Sequence, residues 1–329
     1  MGHGRAVRRR RRFGAVRRAA TAALVAGAVA FPLSGAARPE TPAPPPAALA
    51  APTAHTLTDV YAANRANAAE AAEAAGAHGD RHRAEADRSL AGPARQLLAF
   101  DGRGAGLVTE VFGDLARADR VAVLVPGSDT SLDTYGRFRA AALALHRQLT
   151  ARAPEGTRTA VVAWLGYETP GTVSTAVATT GRADEAAPEL RGLVGTLRGV
   201  LRPRARIALL CHSYGSVVCA RAAAGLDVDD IALVGSPGTG ADTAAGLRAR
   251  ARIWAARGDG DWVEDVPHVS AGLFGTTVGF GTDPVSPAFG ARVFDAGAGG
   301  HSDYFDAGSL SLTNLARIAL GATTEVTRD

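Results

Sequence analysis

The sequence predicts an α/β domain: a mostly parallel, doubly wound sheet of about eight strands, preceded by a signal segment and an alanine-rich helical arm. Three observations lead there. From about residue 95 onward, short unbroken apolar runs recur, among them "RVAVLV" (120–125), "TAVVAWL" (159–165) and "DIALVGS" (230–236). Runs of strand length without alternation belong to strands covered on both faces. Segments of helical spacing lie between them, and strand–helix alternation favours a parallel sheet. Finally, "QLLAF" (96–100) and "GLVTEVF" (106–112) flank a glycine-rich turn, so an antiparallel hairpin leads into the parallel series.

Residues 1–37 read as an address. A cationic stretch, "MGHGRAVRRRRRFGAVRR", precedes an apolar one, "AATAALVAGAVAFPLSGAA", that ends in small residues. That is the anatomy of an export signal. Ser34 and Ala36, or Gly35 and Ala37, satisfy a small-x-small cleavage rule, and "RRRF" (10–13) matches the core of a twin-arginine signal. The apolar stretch is also close to the ~20 residues that span a bilayer, so an uncleaved membrane anchor is the alternative. No cysteine stands directly after it, which excludes a lipoprotein. The expected location is secreted or in the cell envelope, with envelope association through this segment. Residues 38–54 form a Pro/Ala-rich linker. Residues 55–93 read as a helical arm broken between Gly76 and Gly79. Its apolar stripe is thin, with Leu57, Val60 and Tyr61 backed by alanine, so it needs a partner surface to hold its shape.

The main domain spans 94–322, with 323–329 as a tail. Helices are expected over 132–151 and over 183–201, where Asp184 stands near the start and Pro203 beyond the end. "RARIALL" (204–210) is a strand, followed at once by a helix. A short helix over 241–250, a strand over 251–257, a last strand over 290–296 and a terminal helix over 308–321 complete the series. The long glycine-rich stretch 264–290 is the expected source of pocket walls.

In such sheets ligands lie beyond the carboxyl ends of the strands. After "IALL" come Cys211-His212-Ser213-Tyr214-Gly215; after "IWAAR" come Gly258-Asp259-Gly260-Asp261; after "VFDA" comes "GAGGHSDYF" with His301. A serine, an acid and a histidine, in that order and each past a strand, is the arrangement of an acyl-transfer triad. A serine hydroxyl needs a base to take its proton, and histidine titrates near working pH. A carboxylate then orients the imidazole. Asp261, before the apolar pair Trp262-Val263, fits the acid position better than Asp259. His146 and His268 are weaker candidates for the base, and His212 is expected to point elsewhere. Asp303 and Tyr304 are candidates for orienting the histidine loop. Oxyanion donors are expected from the Tyr214 amide and from Ser128, with Gly127 next, because Pro126 has no N–H. Gly215 supplies the small residue that the turn needs after the serine. Cys211 stands where a glycine is usual, and its Cβ is expected to crowd the helix.

Cys211 and Cys219 are the two cysteines. A bridge needs Cα atoms within about 7 Å, and across the hinge this looks unfavourable, so both are read as small buried hydrophobes. No metal-ligand spacing occurs, and no cofactor is expected. The formal charge of +4 misleads, because residues 1–18 hold eight arginines and no acid; without them the chain carries −4. No basic, aromatic-interleaved face follows, so nucleic acid is excluded as a partner.

The stretches "RVAVLVPGSDTSLDTY", "WLGYETPG", "LLCHSYGS", "LVGSPG" and "GHSDYF", with "YAANR" (61–65) upstream, resemble an actinobacterial α/β-hydrolase family catalogued as domain-of-unknown-function family 1023. The resemblance covers about residues 95–321 and implies an α/β-hydrolase fold with Ser–Asp–His machinery, but no substrate. The usual "GHSYGS" reads "CHSYGS" here. The expectation is an exported serine hydrolase acting on a small-molecule or lipid-like carboxylic ester. The alternative is a catalytically inactive relative that binds a ligand or partner in the cell envelope, which the departure at Cys211 favours. Oligomeric state is not legible.

Overall fold

The structure is a computed structural model that describes residues 41–172, 174, 179–266, 271–273 and 276–328. The expected signal segment, its cleavage positions and His268 lie outside the described residues. Among the described residues no helix is long and apolar enough to cross a membrane.

In chain order, helices α1 (Leu57–His78) and α2 (Arg81–Leu90) precede strands β1 (Leu97–Asp101) and β2 (Leu107–Gly113). Then come β3 (Arg120–Val125), α3 (Tyr135–Arg152), β4 (Thr159–Leu165), α4 (Gly181–Val200), β5 (Arg206–His212) and α5 (Tyr214–Ala222). They are followed by β6 (Asp230–Val234), β7 (Arg252–Ala256), a small pair β8 (Ala271–Leu273) and β9 (Thr276–Val278), β10 (Arg292–Val293) and α6 (Leu310–Leu320). One 8-stranded sheet runs in the order β1-β2-β4-β3-β5-β6-β7-β10. The pairs β1–β2 and β2–β4 are antiparallel; every pair from β4 to β10 is parallel.

Alternate side chains of the central strands go to opposite faces. Val121, Val123 and Val125 of β3 and Ile207, Leu209 and Cys211 of β5 join the core under α4 and α5. Ala122, Leu124, Ala208 and Leu210 join the core under α3 and α6. Helices on both faces leave no polar position in the middle of these strands, which is why they read as unbroken apolar runs. The chain leaves β3 toward β4 on one side and returns to β5 on the other. This makes the carboxyl ends of β3 and β5 the point where strand order reverses, the place such sheets reserve for ligands. Val125 and Cys211 pair across it, so the loops that follow them start side by side.

The helical arm finds its partner surface on the sheet edge. Leu57, Val60 and Tyr61 of α1 are buried in one core and Ala68 and Ala71 in the other. The Asn64 amide donates to the carbonyls of Leu97 and Leu98, and Arg65 donates to that of Arg95. The edge strand β1 is thereby covered rather than left open for pairing with another chain. The buried Arg83 of α2 pairs with Asp133 and donates to the carbonyls of Gly102, Gly104 and Ala105.

Two elements are shorter than their sequence patterns predict. The helix expected over 241–250 is a single turn, Ala245–Leu247, closed by Arg248 at φ 51°. The strand expected over 290–296 pairs with β7 only at Arg292 and Val293. The Phe294 amide still bonds the Ala255 carbonyl of β7, and beyond it the Asp295 carboxylate accepts from the Gly297 amide in a turn that carries the chain out of the strand.

Candidate active site

Ser213 stands between β5 and α5 with φ 53° and ψ −126°, a conformation that residues with a side chain rarely adopt. Its amide bonds the Val234 carbonyl. The turn is tight enough to dictate its neighbours. A Cβ at Gly215 would lie 2.5 Å from the Pro126 carbonyl oxygen and 2.6 Å from that of Val125. A Cβ at Gly127 would lie 2.7 Å from the Cβ of Ser213. Glycine is therefore required at both positions. The reading of the two cysteines as independent hydrophobes is corrected: Cys211 and Cys219 form a disulfide, with Cα atoms 6.4 Å apart. The reversal at Ser213 lays α5 back along β5, so residues two before and six after the turn face each other. Along an isolated helix that proximity is invisible.

His301 and Asp261 meet Ser213 from two other loops. His301 Nε2 lies 2.9 Å from Ser213 Oγ, and His301 Nδ1 lies 2.9 Å from Asp261 Oδ1. A carboxylate only accepts, so the imidazole proton sits on Nδ1 and the Nε2 lone pair faces the serine hydroxyl. Asp261 is buried and caps the turn Trp262–Asp265, accepting from the Val263 amide. Burial pushes its carboxyl up, but hydrogen bonds from His301, Tyr304 and Val263 outweigh this and hold it below the ordinary carboxylate range. Asp259, the other acid on this loop, is exposed, and its amide bonds the Gly297 carbonyl. The loops of Asp261 and His301 pack closely, since a Cβ at Gly258 would lie 2.1 Å from the Gly299 carbonyl oxygen. Glu264 and Asp265 are exposed.

Two side chains, Tyr304 and His212, brace this chain of hydrogen bonds, and a third, Tyr167, braces the loop after β3, in ways the sequence does not reveal. The Tyr304 hydroxyl donates to Asp261 Oδ2 and accepts from the Gly258 amide. Tyr304 was legible only as a neighbour of His301, because its partners lie more than forty residues away in sequence. His212, expected to point elsewhere, donates from Nε2 to the His301 carbonyl at 2.7 Å. Burial and the nearby His301 push its pKa down to about 4, so it stays neutral in this contact. The buried Tyr167 donates to the Pro126 carbonyl at 2.7 Å. With it, the Asp129 amide bonds the Pro170 carbonyl and Thr130 exchanges hydrogen bonds with the Thr169 hydroxyl. The 126–130 loop carrying Gly127 and Ser128 is thus laced to the loop after β4. Tyr214 opens α5, where first-turn amides lack intrahelical partners, while its side chain is turned inward to the Thr179 carbonyl. Asp303 shapes the histidine loop by accepting from the Gly300 amide. Trp262, 52% exposed, places its ring centroid 4.7 Å from that of His301 and offers an apolar face beside it.

The profile of a family described as alpha/beta hydrolase matches residues 101–271. An uncharacterized protein of Mycobacterium tuberculosis is 32% identical over 259 residues, which cover 68% of this chain and 38% of that protein. An uncharacterized protein of Mycobacterium bovis is 31% identical over 169 residues, covering 48% of this chain and 63% of that one. The chain thus spans 38% of the length of the Mycobacterium tuberculosis relative. Among solved structures, a lidless α/β serine hydrolase of Xanthomonas campestris is similar with TM-score 0.44 and 16% identity, over 70% of this chain and 95% of that one. Esterase LipW of Mycobacterium marinum is similar with TM-score 0.43 and 16% identity, over 78% and 90% respectively. The family profile spans more than half of the chain, and the chain belongs to the α/β hydrolase family.

Proposed function

We propose that the protein is an exported serine hydrolase that cleaves small-molecule or lipid-like carboxylic esters through an acyl-enzyme, within the branch catalogued as domain-of-unknown-function family 1023. The observation that carries the reading is the pair of 2.9 Å hydrogen bonds joining Ser213, His301 and Asp261 at a turn held in a rare backbone conformation. In the proposed mechanism Ser213 Oγ attacks the ester carbonyl while its proton passes to His301 Nε2. Asp261 stabilises the imidazolium and keeps its orientation. The amides of Tyr214 and Ser128, with Gly127 next, receive the negative oxygen of the tetrahedral intermediate. Collapse releases the alcohol, which takes the proton from His301. Water, deprotonated by the same imidazole, then frees the acid. The leaving group departs on the His301 side, where Trp262 offers apolar surface; this favours an ester with a carbon-rich alcohol part.

Export is supported by the residues 1–37 pattern and by the disulfide, since such bonds persist in oxidising compartments. The Cys211 departure that favoured an inactive relative is accounted for by that bond. A fluorophosphonate probe tests the reading. The folded wild type should be labelled and should hydrolyse chromogenic esters in a series of graded chain length. Ser213→Ala should do neither. Folded wild-type protein that takes up no label would overturn the proposal.

A further inference from the structure

We infer that the Cys211–Cys219 disulfide is a positioning crosslink for Ser213, which makes the competence of the turn depend on oxidation of the two thiols. This rests on the reading of Ser213 as nucleophile. A rare backbone conformation persists only where its surroundings over-determine it. Several restraints act on the turn. The Ser213 amide is tied to Val234, its carbonyl accepts from the amide and hydroxyl of Ser216, and Gly215 packs against the end of β3. All of these grip the turn at its apex or just after it. The disulfide is the covalent restraint on the residues leading in, joining position 211 of β5 to position 219 of α5.

Its placement decides what it does. The bond closes a ring with a sequence separation of only 8, and short rings constrain the unfolded chain less than long ones. Its effect therefore falls on local geometry. Both cysteines are fully buried in the core, where two separate thiols need more room than a bonded pair. Unbonded sulfurs repel at bonding distance, and in the absence of the bond, with thiols or with alanines, nothing covalent holds α5 in register with β5 beside the residue that the turn presents. The same burial keeps reductants away from the bond in the folded protein, so it is set during folding and not switched afterwards. Its formation is an exchange: the two cysteine thiols give up two protons and two electrons to a disulfide donor. The exchange runs through a mixed disulfide and leaves the donor as two thiols.

The test compares oxidised wild type with Cys211→Ala/Cys219→Ala and with wild type refolded under reductant, which changes no residue. Oxidised wild type, unfolded without reductant, should leave both cysteines unreactive to iodoacetamide. Both forms that lack the bond should fold yet react with the fluorophosphonate about 10–100-fold more slowly, as expected for a nucleophile displaced by about an ångström. On a turned-over ester the loss should lie in kcat rather than KM. Hydrogen exchange at the Ser213 and Ser216 amides should quicken while exchange in β3 and β6 stays as before. Alkylation of both cysteines in the unreduced protein, or equal labelling and exchange in all three forms, overturns the inference. A folded wild type that is never labelled removes the hydrolase reading. In that case the amide exchange alone still decides whether the bond holds the turn.

Discussion

Asp261 and Asp259 stand two residues apart on one loop, yet their surroundings give them opposite fates. Asp261 is buried with both oxygens occupied, by His301 and Val263 on one and Tyr304 on the other. These bonds hold its carboxyl below the ordinary carboxylate range, which suits the proposed role beside an imidazolium. Asp259 faces water. Under the proposed mechanism Asp261→Asn should lower kcat by about 10⁴ with the fold retained, because an amide can donate to Nδ1 and so favour the wrong tautomer. Asp259→Asn should be close to wild type. Steady-state kinetics on both variants check this, and a large loss in Asp259→Asn with none in Asp261→Asn would reverse the assignment.

At the scale of the element, the helical arm holds an electrostatic debt. Asp87 of α2 is buried, and its Oδ1 has no hydrogen-bond partner among the described residues. Burial raises its pKa to about 7, with Arg83 opposing and Asp133 and Asp80 adding to the rise. A carboxyl raised in the folded state stabilises least where it must ionise. Its contribution is intact below the unfolded value and is lost as pH climbs through about 7. Asp87→Asn removes that loss. Its gain in unfolding free energy should be larger at pH 8 than at pH 5 by about 2 kcal/mol, read from urea melts at the two pH values. Equal gains would show that the carboxyl is not ionising in place.

For the whole molecule, the arm is part of the body it precedes. Removing residues up to 93 strips Leu57, Val60 and Tyr61 from the core and uncovers the backbone of β1. Three such side chains are worth on the order of 5 kcal/mol, comparable to the entire net stability of an ordinary domain. The chain from 94 onward should therefore be insoluble, or unfold at far lower urea than the chain from 41 onward. Matching unfolding midpoints for the two would make the arm a dispensable appendage.

Periodicity and punctuation along the chain determined much by themselves. The unbroken runs of β3, β4, β5 and β6 were legible because helices cover both faces and leave no polar position between the strand ends. Gly215 was legible as the small residue after a turn, and the chain order serine, acid, histidine, each past a strand, was a pattern of sequence alone. What only the tertiary structure decided are distances between residues remote in the chain. The Asp261–His301 contact, the Tyr304 and His212 hydrogen bonds, and the docking of α1 on β1 all depend on how segments remote in the chain come to lie together. The disulfide is the sharpest case. Cys211 and Cys219 are close in sequence, yet what brings them within bonding reach is the reversal of direction at Ser213, which no periodicity of strand or helix encodes.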